Sequence, residues 1–148
     1  MENSKSKIIK DIAQELDCGN DCYYNSKTDE IIAIPNFSNI SDEEEFLECF
    51  KEELNKVKKN KAELIKIEVI ESFESFKIME RFIDQLTDRH FKLELEIILQ
   101  NKKPFQNFKR AIDNSNFRQE WFNFKKIELE KIVEKLLNNK IDSAKQSI

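Results

Sequence analysis

Across residues 6–16 the apolar side chains Ile8, Ile9, Ile12, Ala13 and Leu16 recur at helical spacing, which predicts a first amphipathic helix. Gly19, the only glycine, follows at the distance of a C-cap, where a positive φ costs little. Cys22-Tyr23-Tyr24 and Glu30-Ile31-Ile32-Ala33-Ile34 then read as two strands joined by a polar hairpin turn over residues 25–29, with Pro35 ending the second. Ser41-Asp42-Glu43-Glu44 is a capping pattern, and Phe46, Phe50, Leu54 and Val57 give the second helix one buried stripe. That helix begins acidic and ends on Lys56, Lys58 and Lys59, as the helix dipole favours. Leu64-Ile65-Lys66-Ile67-Glu68-Val69 alternates with period two and reads as a third strand with one wet face.

The remainder carries helical periodicity. Phe76, Met79, Ile83 and Leu86 mark one helix, and Phe91, Leu95 and Ile98 the next, with a cap at Thr87. Pro104 suits the first position of a short helix bearing Phe105, Phe108 and Ile112. After a turn at residues 113–116, Asn116 caps a long last helix from Phe117 to about Asn138, followed by a frayed tail. Strands in the first half and helices in the second predict an α+β fold. The expected form is a small three-stranded sheet with helices on one face, packed against a helical C-terminal half. The helix before the third strand permits parallel pairing through a right-handed crossover. No repeat or linker divides residues 1–148, so one domain is expected, ordered over about residues 6–138.

Composition sharpens this picture. Charged residues make up 36% of the chain, but they alternate with apolar ones, and twelve Phe with many Ile and Leu supply a core; the chain reads as folded. No segment approaches the ~18 apolar residues of a membrane helix, and no apolar leader precedes the first helix, so a cytoplasmic protein with no membrane partner is expected. An odd set of cysteines, Cys18, Cys22 and Cys49, fits free thiols in a reducing compartment.

Charge is unevenly spread. Residues 1–99 carry 14 Lys/Arg against 23 Asp/Glu, a net −9, whereas residues 100–126 carry 7 against 2, a net +5. Residues 102–126 also hold six of the fifteen aromatics, including Trp121. Phe105, Phe108, Trp121 and Phe124 are expected in the core, with Trp121 largely buried on Phe105 and Phe108. Lys102, Lys103, Lys109, Arg110, Arg118, Lys125 and Lys126 would then form a solvated basic rim, the candidate binding surface.

Candidate chemistry is sparse. Cys18-x3-Cys22 lacks a second ligand pair at zinc spacing, and its first cysteine stands at a helix end rather than a helix start, unlike a redox pair. His90 has no nucleophile or orienting acid at a recognisable spacing. Asp42-Glu43-Glu44-Glu45 splays around its helix instead of converging on one cation. Glu71, Glu74 and Glu80 offer carboxylates without an evident pocket, and a chain with one glycine lacks the loops that cradle phosphates. No catalytic residue, metal site or cofactor is therefore expected. The leading expectation is a non-enzymatic interaction module for another protein with an acidic surface. The alternative is RNA or single-stranded nucleic-acid binding through residues 102–126, which the net negative charge opposes.

Several stretches resemble the uncharacterised protein family 0158. They are the Asp17-Cys18-Gly19 junction, Tyr23-Tyr24 with the hairpin into Ile34-Pro35, and Ser75-Phe76-x-x-Met79-Glu80-x-Phe82. Lys103-Pro104-Phe105-x-x-Phe108-Lys109 and Trp121-Phe122-x-Phe124 are the most specific. The resemblance spans roughly residues 8–135 and implies a cytosolic bacterial protein; it brings no catalytic residues. Asp29 stands in the hairpin turn where the resemblance leads one to expect glycine.

Overall fold

The computed structural model describes residues 4–36 and 42–146. Its elements run α1 (Ser4–Asp17), β1 (Asn20–Asn25), β2 (Ile31–Pro35), α2 (Glu43–Cys49), α3 (Lys51–Lys59), β3 (Leu64–Ile67), α4 (Ser72–Asp84), α5 (Arg89–Gln100), α6 (Pro104–Asp113) and α7 (Arg118–Gln146). The α+β class is as the sequence predicts. Two compact units divide the chain: one runs to Val69 and resumes at Leu129, and the other is Ile70–Glu128. Helix α7 contributes to both.

In the first unit, β1 is the central strand of a sheet ordered β2-β1-β3, and both neighbours run antiparallel to it. The parallel pairing that the sequence permits does not form. The chain leaving β2 passes through α2 and α3 and returns beyond β1, so β3 has the direction of β2 but bonds to β1. Neither are the helices confined to one face. Successive side chains of a strand point to opposite sides. Cys22 therefore faces α1, where its thiol lies 3.9 Å from the Ile12 carbonyl oxygen, while Tyr23 joins a core of Ile32, Ile34 and Phe46 flanked by Phe50, Leu54 and Val57. Two stripes of apolar residues, one on each side of the hairpin, need two covers.

Local signals account for most boundaries. Gly19 takes φ 89° after α1. Asp29, at φ 63°, occupies the left-handed region in place of glycine, and its carboxylate accepts the Tyr24 hydroxyl at 2.8 Å. Asp42 caps α2 by accepting the Glu45 amide at 3.1 Å; Ser41 of the expected capping pattern lies outside the described residues. The single second helix expected from Phe46 to Val57 is broken at Phe50, whose ψ of 21° departs from α geometry. Asp88, not Thr87, caps α5, accepting the Phe91 amide at 3.0 Å. The α6–α7 turn is held by Ser115, whose hydroxyl donates to the Ile112 carbonyl and accepts the Phe117 amide, so Asn116 is not the cap. Helix α7 then runs to Gln146, past the expected end. Its distal half carries a buried stripe of Leu129, Val133 and Leu137, and Asn138 accepts the Lys5 ammonium at 2.8 Å while Lys140 donates to the Lys66 carbonyl.

Asp21 fastens the sheet. Its carboxylate is almost fully buried, accepts the Val69 amide at 2.9 Å beyond β3, and accepts the Asn36 amide at 3.2 Å beyond β2. One central side chain thus ties both outer strands at the same end of the sheet. Asp21→Ala leaves the partly buried Val69 donor unmatched and should cost about 1–3 kcal/mol in urea unfolding, with Asp21→Asn losing less because it keeps one acceptor oxygen.

One thiol and one phenol set the alkaline behaviour. Burial, reinforced by Glu15 and Asp21, pushes Cys22 from 9.0 up to about 12. Burial first, and then the hydrogen bond to Asp29, pushes Tyr24 from 10.0 up to about 12. Both groups ionise more readily in the unfolded chain, so their contribution is complete below pH 9 and is lost as pH rises towards 12. Thermal unfolding should show a Tm that falls steeply above pH 9. In native protein a thiol reagent should label exposed Cys18 and Cys49 rapidly, and Cys22 only on unfolding.

Candidate functional site

The second unit is built on aromatic packing. Met79, Phe82 and Ile83 of α4, with Leu86 just beyond its end, meet Phe91 and Leu95 of α5 and Phe108 and Ile112 of α6 in one buried cluster. The spacing of each set at three and four residues puts it on one helix face. Trp121 from α7 packs edge-on against Phe108 at 4.9 Å and against Phe82 at 5.2 Å between ring centroids. Phe124 approaches Phe82 at 5.4 Å, and Phe117 stacks on Phe91 at 4.9 Å.

This corrects the expectation for the tryptophan. Trp121 is partly buried and packs on Phe108 as expected, but Phe82 takes the place assigned to Phe105. Phe105 is turned outward, 43% exposed, and meets Phe76 at 6.3 Å. Only one face of α6 can reach the cluster, and Phe108 and Ile112 occupy it.

The outward set forms a half-open pocket of about 290 Å³ between α4, α6 and α7. Ile78, Met79, Phe108, Ile112 and Trp121 supply an apolar floor, and Phe105 and Phe122 form exposed walls. Lys109 and Lys125, each four residues from one of the wall phenylalanines or from Trp121 along its helix, add two cations at the edge; Ser75 and Asp113 are the other polar lining groups. The Asp113 carboxylate is paired with Arg118 at 3.4 Å, and the same guanidinium lies 5.0 Å over the Phe122 ring. The negative charge at the pocket edge is thus offset, and the edge is cationic.

The seven basic residues of the expected rim do not share one surface. Lys109 and Lys125 line the pocket, and Arg118 serves it by holding Phe122 and Asp113. Arg110 projects from the other flank of α6 into a shallow groove shared with α5. Lys102 and Lys103 lie in the α5–α6 connection, where Lys103 adopts the left-handed φ of 52° just before Pro104. Lys126 is exposed on α7 outside both concavities.

His90 opens onto the α5–α6 groove, which Asp88, Glu94 and Arg110 also line. The groove is wide and open, and Asp88 is committed to its cap. Cys22 lies in the interior of the other unit. Among the described residues no three His, Cys, Asp or Glu side chains are grouped to hold a metal ion. Nor is any described helix long and apolar enough to cross a membrane.

Sequence reasoning missed Ser75 and Ile78 from α4, because a pocket between helices depends on how the helices cross. Phe122 was legible. Adjacent residues on a helix diverge by about 100°, so Trp121 and Phe122 are unable to face one core together.

The architecture is that of an α+β protein whose helical unit offers an apolar pocket edged by lysine. The chain belongs to the uncharacterised protein family UPF0158, whose model matches residues 4–147. No curated protein and no solved structure matches it significantly.

Core and pocket differ in what substitution should do. Phe108 is 1% exposed, so Phe108→Ala should cost about 3–5 kcal/mol of stability. Trp121→Ala should fall at or below the lower end, about 3 kcal/mol, since part of the indole already meets solvent. Phe105→Ala and Phe122→Ala should shift stability by less than about 1 kcal/mol in the same denaturant titration.

Proposed function

We propose that this protein is a non-enzymatic interaction module that accepts a bulky apolar side chain of a partner protein in the α4–α6–α7 pocket. Carboxylates flanking that side chain meet Lys109 and Lys125. The observation that carries this reading is the coincidence of Phe105 and Phe122, both 43% exposed, with a preformed apolar pocket between them. Exposed aromatics beside a concavity are what an anchor-in-pocket interface uses, and cations at its edge set specificity and encounter rate.

The division of the basic residues favours a protein partner over nucleic acid. A single strand is held by a continuous cationic track with aromatics accessible for stacking. Here Arg110 and Lys109 leave α6 towards different concavities, and Phe108 and Phe124 are engaged in packing. The reading includes a bacterial cytoplasm, whose reducing conditions suit the three free thiols.

The test is capture of a reproducible partner from native extract by the tagged full chain. Lys109→Glu with Lys125→Glu should abolish capture, and Phe122→Ala should weaken it, while Arg110→Glu should retain it. Capture that survives the paired lysine reversal and is lost with Arg110→Glu removes the pocket from the account. Titration of mixed RNA and single-stranded DNA at low salt should show negligible binding; salt-sensitive tight binding replaces this reading with the nucleic-acid one.

A further inference from the structure

We propose that a second copy of this chain occupies the pocket, inserting Leu47 of α2. The inference rests on the pocket reading above and adds an occupant to it.

Leu47 is 48% exposed on α2. Its neighbour Phe46 is buried against Ile32 and Ile34, and the helical turn between consecutive residues directs Leu47 away from that core. A single exposed leucine is ordinary. What distinguishes this one is its surround. Glu43 and Glu44 stand one helical turn before it, Glu48 follows it, and all three are exposed. Residues 42–49 hold five carboxylates and no cation.

The pocket is the converse of this knob. Its floor is apolar at Ile78, Phe108 and Trp121, its edge bears Lys109 and Lys125, and the Asp113 charge there is offset by Arg118. A volume of about 290 Å³ is ample for one branched aliphatic side chain. Docking places an apolar group on an apolar floor and sets carboxylates against ammonium groups. The chain-wide charges agree in sign: net −9 over residues 1–99, which include the knob, and net +5 over residues 100–126, which supply most of the pocket. One buried leucine with a charged surround makes a weak, salt-sensitive, concentration-dependent contact.

Sedimentation velocity on the full chain, with Trp121 emission as a reporter at the pocket floor, tests this directly. Wild type should associate at high concentration and low salt, with a blue shift of Trp121 that reverses on dilution. Leu47→Asp should weaken association by at least about tenfold, without loss of helical circular dichroism, since the site is exposed. Glu44→Lys with Glu48→Lys should be monomeric, as should Lys109→Glu with Lys125→Glu. An equimolar mixture of these two variants should associate again, because knob and pocket are then complementary in both directions. Wild type that stays monomeric at near-millimolar concentration overturns the proposal. So does association that is indifferent to Leu47→Asp, or a mixture that fails to recover. Leu47→Asp leaves the pocket intact, so it should still capture an outside partner. Retained capture by a protein that never self-associates sinks this inference alone, and loss of capture only in the paired lysine variant leaves the pocket reading standing.

Discussion

The edge-to-face contacts of Trp121 with Phe82 and Phe108 are the constraint on which the helical unit depends. They bring α7 onto α4 and α6 at ring separations of 5.2 and 4.9 Å. Aromatic pairs in this geometry gain on the order of 0.5–1.5 kcal/mol beyond the area they bury. The short turn between α6 and α7 makes the two helices neighbours, but it is the indole, wedged between two rings from different helices, that fixes where α7 lies. The same indole then forms part of the pocket floor. Packing and pocket share one side chain: Trp121 contacts Phe82 and Phe108 and also lines the pocket.

The sheet unit is organised on a different principle. Its strands are short, and a two-stranded hairpin is marginal alone. Antiparallel pairing of β3 to β1 supplies the third strand, and the buried Asp21 carboxylate joins the segments leaving β2 and β3. A carboxylate in this position is tolerable because its oxygens are matched by donors; an apolar residue there would leave the Val69 amide without its acceptor. Asp29 shows a similar economy. A left-handed φ is unfavourable for most residues, but Asp tolerates it better than most, and its side chain is also placed to accept the Tyr24 hydroxyl.

The proposed interaction draws on the remaining asymmetry. The apolar floor provides the greater part of any attraction, because burial of one large aliphatic group outweighs solvent-exposed ion pairs. In that proposal Lys109 and Lys125, which line the pocket, would decide which apolar groups enter. Acidic surrounds are favoured and basic ones are repelled, which is a matter of specificity and encounter more than of affinity. The Arg118 guanidinium contributes indirectly by offsetting Asp113 and lying over Phe122.

Much of this was determined by the sequence alone. Periodicity located all three strands and the helical segments, though not the break at Phe50 that divides α2 from α3, since burial of one face imposes a spacing of 3.6 or 2 whatever the neighbours are. Gly19, Pro104 and Asp42 marked ends because their own backbone or side-chain chemistry acts locally. Family resemblance was legible in Lys103-Pro104-Phe105 and Trp121-Phe122, and the family match bears it out. Other local choices were closer contests: Thr87 against Asp88, and Asn116 against the Ser115 hydroxyl, differ by one residue, and in the structure Asp88 accepts the Phe91 amide and Ser115 the Phe117 amide. Tertiary structure decided the rest. Strand order depends on where the α2–α3 crossover lands, and helices on both faces of the sheet follow from which stripe each helix covers. The basic residues of 102–126 were visible as a cluster in the chain, yet a helix distributes successive residues around its axis, so Lys109 and Arg110 part company. The pocket required three helices, residues from Ser75 to Lys125, and an aromatic wedge between them, a juxtaposition across distant positions that no local pattern encodes.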